Sequence, residues 1–189
     1  VEAARWARTT DILPAKKSSM ATTSVSLTEY LNTNYCSDLE YVDGRLVERN
    51  VGKWEHGRLI IRLGAWFFQH ESEWAIQTAS DVRTQVSLTR VRLPDVLLVG
   101  QDAQPPVVEA TPVLCVEILS EVDTLAETKR KCGEYLAMGS QGIWIVNPLN
   151  RTALHWTNLG WCETSRLEVT GTPIYIETAY LWDRLNVSE

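Results

Sequence analysis

Two carboxylates stand where an apolar strand has no structural use for them. Asp95 opens the run Pro94-Asp95-Val96-Leu97-Leu98-Val99, and Glu117 lies inside Val113-Leu114-Cys115-Val116-Glu117-Ile118-Leu119. Alternate residues of a strand share a face, so Glu117 goes with Cys115 and Leu119 rather than with solvent. An ionised carboxylate buried without a partner costs several kcal/mol, which a cation or an ion pair must offset. Neighbouring strands lie about 4.8 Å apart, close enough for two such carboxylates to converge on one divalent ion. Magnesium takes oxygen ligands and keeps several waters, which suits a site with few protein ligands. Read singly, Asp95 is a turn or cap at a strand start and Glu117 is half of a structural ion pair. Together, on adjacent buried strands, they read as a metal site.

The next requirement is a cation. The helix that follows Glu117 carries Lys129, Arg130 and Lys131 beside an apolar stripe of Leu125, Thr128, Cys132, Tyr135 and Leu136. At about 100° per residue, Lys129 flanks one side of the stripe, Lys131 the other, and Arg130 points away. Either lysine can snorkel back toward the sheet, and helical geometry does not choose between them. Taken alone, each is a solvated lysine. His56 is in phase with Leu59, Ile60, Leu63 and Phe67, so it reads either as a satisfied core histidine or as a site residue. His70 and His155 have no such placement. Glu40 and Glu48 flank the Asp43-Gly44 turn, where charged residues are usually solvated.

These residues need elements to position them. Ser26-Leu27-Thr28-Glu29 has capping-box spacing for a helix over 27–33. Asp43-Gly44 predicts a hairpin between Tyr41-Val42 and Leu46-Val47. The apolar period that contains His56 predicts a helix over 55–71. Strands are predicted over 75–79, 82–88, 94–99 and 113–119, the last two apolar enough to be covered on both faces. A helix over 124–138 ends at Gly139, and Ile143-Trp144-Ile145-Val146 is a further buried strand closed by Asn147-Pro148. The tail alternates over 152–157, 161–169 and 174–176 and ends in a short helix near 177–185. This order predicts a mixed α/β sandwich around one sheet.

Composition sets the outer bounds. A chain of 189 residues with 44% hydrophobic residues forms one domain with a real core rather than a disordered chain. No apolar run approaches the ~20 residues of a membrane span. There is no G-x-G-x-x-G and no Walker motif, so nucleotide binding by those devices has no support. Cys36, Cys115, Cys132 and Cys162 form no C-x-x-C pair, so no zinc ribbon or disulfide framework is indicated and a reducing cytoplasm is expected. Residues 1–19 carry Arg5, Arg8, Lys16 and Lys17 against Glu2 and Asp11 and have neither period nor signal-peptide centre. They read as an extension upstream of Met20, with the domain at 20–189. The net charge is −6 overall. A body this acidic is not a bulk nucleic-acid binder, so any such contact needs a local basic patch or bound cations.

The order of these pieces resembles a known family. Leu39-Glu40-Tyr41-Val42-Asp43-Gly44-Arg45-Leu46-Val47-Glu48, then His56 before a helix, Arg92-Leu93-Pro94-Asp95-Val96, and Val116-Glu117-Ile118-Leu119-Ser120 followed by Asp123-Thr124 are similar to the Uma-two family of restriction endonucleases. Lys131 ahead of Tyr135 and Gly139, and Ile143 to Pro148, complete the pattern from Ser26 to the C-terminus. That family in turn resembles the PD-(D/E)XK nucleases. The resemblance implies a restriction-endonuclease-like central mixed β-sheet flanked by helices, with an α-β-β-β-α-β core, an N-terminal hairpin and a C-terminal β-hairpin. It implies Asp95 and Glu117 as metal-holding acids, the backbone carbonyl of Ile118 as a further ligand, and Mg2+ or Mn2+ as cofactor. The usual lysine position two residues after the second acid is Leu119 here, and the resemblance places the lysine at Lys131 instead. Asn147 stands where an aspartate is more often seen, which affects a turn. His56 and Glu48 are candidate assistants, as ligand or proton acceptor. Arg83, Arg90 and Arg92 are candidates to offset the negative field. The implied activity is metal-dependent hydrolysis of DNA by a homodimer. The alternatives are an inactive nucleic-acid or protein-binding member on the same scaffold, and a phosphoester hydrolase acting on RNA or a nucleotide.

Overall fold

Helix α1 (Leu27–Asn32) begins where the capping box places it, with the Ser26 hydroxyl accepting the Glu29 N–H at 3.1 Å. The computed structural model describes residues 24–35, 37–50, 52–102, 105–183 and 185. The segment 1–19 and Cys36 lie outside the described residues. Strands β1 (Leu39–Val42) and β2 (Arg45–Glu48) form the expected hairpin. Both turn residues have positive φ, 50° at Asp43 and 85° at Gly44, which a two-residue hairpin turn requires.

Helix α2 (Trp54–Trp74) is longer than the sequence pattern predicts, and buries Leu59, Leu63 and Phe67. It leads into β3 (Ile76–Ala79), β4 (Thr84–Ser87), β5 (Arg90–Arg92), β6 (Val96–Gly100) and β7 (Leu114–Ile118). Helix α3 (Leu125–Met138) then crosses over to β8 (Gly142–Asn147), which pairs parallel to β7. Gly139 takes φ 98° at the α3 C-terminus, the left-handed cap that glycine adopts without strain. The chain closes with β9 (Thr152–Thr157), β10 (Gly160–Glu163), β11 (Arg166–Glu168), β12 (Tyr175–Glu177) and α4 (Thr178–Trp182).

The strands form three sheets, not the single sheet expected from the sequence. The largest has the order β10-β9-β8-β7-β6-β3, and the hairpin joins β5 and β4 in a second sheet of order β2-β1-β5-β4. Strands β11 and β12 pair as a third. Strand β5 is absent from the sequence reading because two of its three residues are arginines. Their charges are met by acids on other elements, so the strand needs no apolar period. Through the large sheet, α2-β3-β6-β7-α3-β8 follows the α-β-β-β-α-β order, with β4 and β5 inserted.

Strand alternation divides the core into two. Val96, Leu98, Leu114, Val116 and Ile118 pack with the α2 residues Leu59, Leu63 and Phe67. Leu97, Val99, Cys115 and Leu119 pack with Cys132 and Tyr135 of α3. Glu117 alternates with the second set, so its side chain emerges under α3. No helix among the described residues is long and apolar enough to cross a membrane.

Candidate active site

Strands β6 and β7 run antiparallel with Val96 opposite Val116. One step further along this register sets Asp95 opposite Glu117. Both are buried, at 2% and 6% exposed, and both line a cavity of ≈ 260 Å³ with Glu40, Arg49, His56, Arg92 and Lys131. The fold brings the two acids into one cavity, and Lys131 of α3 reaches Glu117 there.

Glu117 is held from α3 at both oxygens. Lys131 Nζ donates to Oε2 at 2.9 Å, and the buried Tyr135 hydroxyl donates to Oε1 at 2.6 Å. Lys131 and Tyr135 are one helical turn apart, so one face of α3 delivers both. The Glu117 carboxyl is pushed up to about 7 in all, and burial is the largest cause. Lys131 pulls it down, and the charges of Asp95 and Glu40 push it up again. The structure thus resolves the choice that helical spacing left open. Lys131 reaches the acid, whereas Lys129 lies 5.7 Å from the Trp161 ring centroid. Arg130 is exposed at the cavity rim.

Asp95 is held from three directions. Its Oδ2 accepts the backbone N–H of Ile118 at 2.7 Å and faces His56 Nε2 at 3.4 Å. Its Oδ1 accepts a hydrogen bond from Arg49, whose other nitrogen donates to Asp81. Burial alone would raise its pKa, but the neighbouring His56, Arg49 and Lys131 hold the carboxyl below its ordinary value. His56 is shifted the other way. Burial lowers its pKa, but the hydrogen bond to Asp95 and that residue's charge raise it above 6.5 overall. The helical phase therefore brings His56 to the site rather than into an apolar core.

Glu40 corrects the sequence reading, which left it solvated beside the hairpin turn. It is 4% exposed. Its Oε1 meets Lys131 Nζ at 2.8 Å and accepts the Leu93 N–H at 3.2 Å, and its Oε2 accepts from Arg92 at 2.7 Å. The β1–β5 register, Tyr41 opposite Val91, makes Glu40 and Arg92 cross-strand neighbours. Burial pushes the Glu40 carboxyl up, and Lys131 and Arg92 together bring it below its ordinary value. Arg92 also makes two bonds of 2.7 Å to Glu134 of α3, and Arg90 adds a third to the same carboxylate. Arg92 thus lines the cavity, and Arg90 joins its network through Glu134. Arg83 does neither: it stacks on Tyr30 at 4.6 Å and donates to the carbonyls of Tyr30, Leu31 and Thr33. Glu48 is exposed at the cavity rim and forms no ion pair among the described residues.

Arg49 has no counterpart in the sequence reading. It follows a short strand and lies 46 positions from Asp95, so no local pattern joins them. Asn50, next to it, donates to Asp123 at 2.6 Å and ties the end of the hairpin to the loop after β7.

Among the described residues, no group of three or more His, Cys, Asp or Glu side chains is arranged to hold a metal ion. The candidate donors are therefore the two carboxylates, with the Ile118 carbonyl as the further ligand that the resemblance implies. This is an all-oxygen set of the hard type magnesium takes, with room for water in the cavity.

A search of curated proteins found no match. A crystal structure of a putative nuclease belonging to DUF820 from Anabaena variabilis superimposes with a TM-score of 0.76, covering 86% of this chain and 99% of its own, at 14% sequence identity. At that identity the likeness is one of fold: a mixed central sheet flanked by helices. Residues 29–178 match the Uma2 family, described as putative restriction endonucleases, and the chain belongs to that family.

Proposed function

We propose that the chain is a metal-dependent endonuclease that hydrolyses DNA phosphodiester bonds. The observation that carries this reading is the pairing of Asp95 with Glu117 across adjacent strands, with Lys131 Nζ on Glu117 at 2.9 Å in an open cavity. Asp95, Glu117 and the Ile118 carbonyl would hold Mg2+ or Mn2+. When bound, such an ion supplies Lewis-acid activation of water and neutralises charge on the phosphate.

The chain's own residues have separable tasks. Glu40 and Glu117 fix the Lys131 ammonium from two sides and keep it protonated, because both charges raise its pKa against the effect of burial. An ammonium has three donors, and two are engaged here. The third is left for a water or a phosphate oxygen. Glu40 therefore acts through Lys131 as a positioning residue. His56, shifted toward its protonated form, is suited to donate a proton to a leaving oxygen. Glu48 at the rim lines the same cavity and places a carboxyl group there, suited to accept one through water.

The second reading, a non-catalytic binding member, is favoured by one feature. All four carboxylate oxygens of Asp95 and Glu117 already have donors within the chain. Plasmid cleavage by the purified protein in Mg2+, Mn2+ and EDTA separates the two, with an Asp95→Ala, Glu117→Ala variant run alongside. Metal-dependent nicking absent from the variant supports the nuclease. No cleavage by either protein supports the binding role, and equal cleavage by both removes these carboxylates from the chemistry. We further propose a homodimer, since paired cuts in a duplex need two sites. Sedimentation of the same preparation tests it.

A further inference from the structure

We propose that Arg49 is a resident counter-ion that competes with the divalent metal for Asp95 and so sets the metal affinity of the site. The inference rests on the metal reading above and adds a residue to it. Each oxygen of Asp95 is occupied, but not equivalently. Oδ2 accepts the Ile118 N–H, at 2.7 Å, a backbone donor fixed by β7, and faces His56 Nε2 at 3.4 Å. The Oδ1 partner is a side-chain guanidinium. Arg49 is anchored on its far side by Asp81, whose side chain is 38% exposed. Asp81 stands at the end of β3 and is not part of the buried cluster. Arg49 can therefore leave Asp95 and keep Asp81, with no backbone hydrogen bond broken. Ile118 cannot.

Glu117 offers no easier entrance. Lys131 and Tyr135 hold its two oxygens from α3, and the proposed chemistry needs Lys131 where it is. The Oδ1 direction of Asp95 is thus the one a metal ion would reach by displacing the Arg49 side chain alone. A guanidinium and a divalent cation repel each other and need the same lone pairs, so only one occupies that oxygen at a time. With no divalent ion, Arg49 compensates a carboxylate that is otherwise buried. With the ion bound, its guanidinium is released beside Glu48 and Asn50 at the cavity rim, where a substrate phosphate would come.

The test is Mn2+ affinity, read by the loss of free-Mn2+ electron paramagnetic resonance signal, for wild type, Arg49→Met, Asp95→Asn and the double variant. Arg49→Met is expected to bind Mn2+ about tenfold more tightly than wild type or better, and Asp95→Asn is expected to abolish the gain. Thermal unfolding gives a second readout. Mn2+ raises the Tm of Arg49→Met by more than that of wild type, because tighter binding to the folded state stabilises it more. Equal or weaker binding by Arg49→Met, with binding still lost in Asp95→Asn, overturns the role of Arg49 and leaves the metal reading standing. Absence of Mn2+ binding in every variant overturns both. If Arg49→Met does not fold even with Mn2+, Arg49→Lys takes its place. It keeps a charge but not the fork that spans Asp81 and Asp95. An intermediate gain in affinity then supports the proposal, and an unchanged affinity overturns it.

Discussion

Replacing Lys131 with methionine tests the charge balance of the cluster. The ammonium lies 2.9 Å from Glu117 Oε2 and 2.8 Å from Glu40 Oε1, with its side chain 17% exposed. Methionine keeps much of the stem's packing and removes the charge, so the change is mainly electrostatic. Removing one partner of a buried ion pair costs about 3–5 kcal/mol, because the other charge stays buried without it. Two features place Lys131→Met at the lower end. Glu40 keeps Arg92 and the Leu93 N–H, and Glu117 keeps the Tyr135 hydroxyl. We expect a loss of about 3 kcal/mol, which for a chain of this size lowers Tm by about 6–12 °C. Circular dichroism melting at neutral pH measures it. Lys129→Met is the matched control, since that lysine meets only a ring face at 5.7 Å, an interaction of about 0.5–1 kcal/mol. Plasmid cleavage, assayed well below both melting points, is expected to fall about a hundredfold in Lys131→Met and to hold in Lys129→Met. If the two variants melt together, Lys131 carries no buried charge balance and the cluster is not the coupled unit described.

Three further outcomes follow from the same geometry. Lys131 and Arg92 hold Glu40 below its ordinary value of 4.5, so its contribution to stability is present above that pH and is lost as pH falls through the lower folded value. Urea unfolding should show Glu40→Gln less stable than wild type at neutral pH, with the gap closing in acid. Tyr135→Phe removes a 2.6 Å hydrogen bond to Glu117 and should lose about 1.5–3 kcal/mol, measured by the same unfolding. A Cβ at Gly52 would stand 2.3 Å from His56 Cγ and 2.5 Å from His56 Cβ, so Gly52→Ala should displace the imidazole from Asp95. Loss of cleavage with a stability change of about 1–3 kcal/mol is expected, and unchanged cleavage would show that the position of His56 is immaterial.

The part of the site legible in the sequence is the part carried by local pattern. Asp95 and Glu117 show because each breaks an apolar strand, whereas the stripe of α3 narrows the cation only to Lys129 or Lys131, which flank it on either side. The hairpin shows because Asp43-Gly44 suits only a tight turn. Glu40 and Arg49 were hidden for one shared reason. Each acquires its partner through the second sheet, which forms only when the hairpin joins β5. Glu40 meets Arg92 at a separation of 52 residues, and Arg49 meets Asp95 at 46. β5 itself was hidden because its arginines mask a strand period. A charged residue beside a hairpin turn is solvated unless another strand docks there, and a four-residue strand gives no sign of that docking.

That hidden layer changes how the acidic composition should be understood. Around the cavity the acids Glu40, Asp81, Asp95, Glu117 and Glu134 are interleaved with Arg49, Arg90, Arg92 and Lys131. These basic residues are already engaged by carboxylates, so they are not a free patch for a phosphate backbone. Lys53 is likewise paired with Glu121 at 2.6 Å. An acidic chain whose cations near the site are matched in this way, with the exposed Arg130 at the rim as an exception, has little long-range attraction for DNA. Beyond Arg130, local positive charge would come, on the proposed metal reading, from an ion bound by Asp95 and Glu117 or from cations released when that ion binds. Arg49 is the arginine that sits on Asp95 itself, and its release breaks no backbone contact and leaves Lys131 in place. The same residue that keeps Asp95 compensated without metal is therefore the residue through which metal binding would turn a closed charge network toward a substrate.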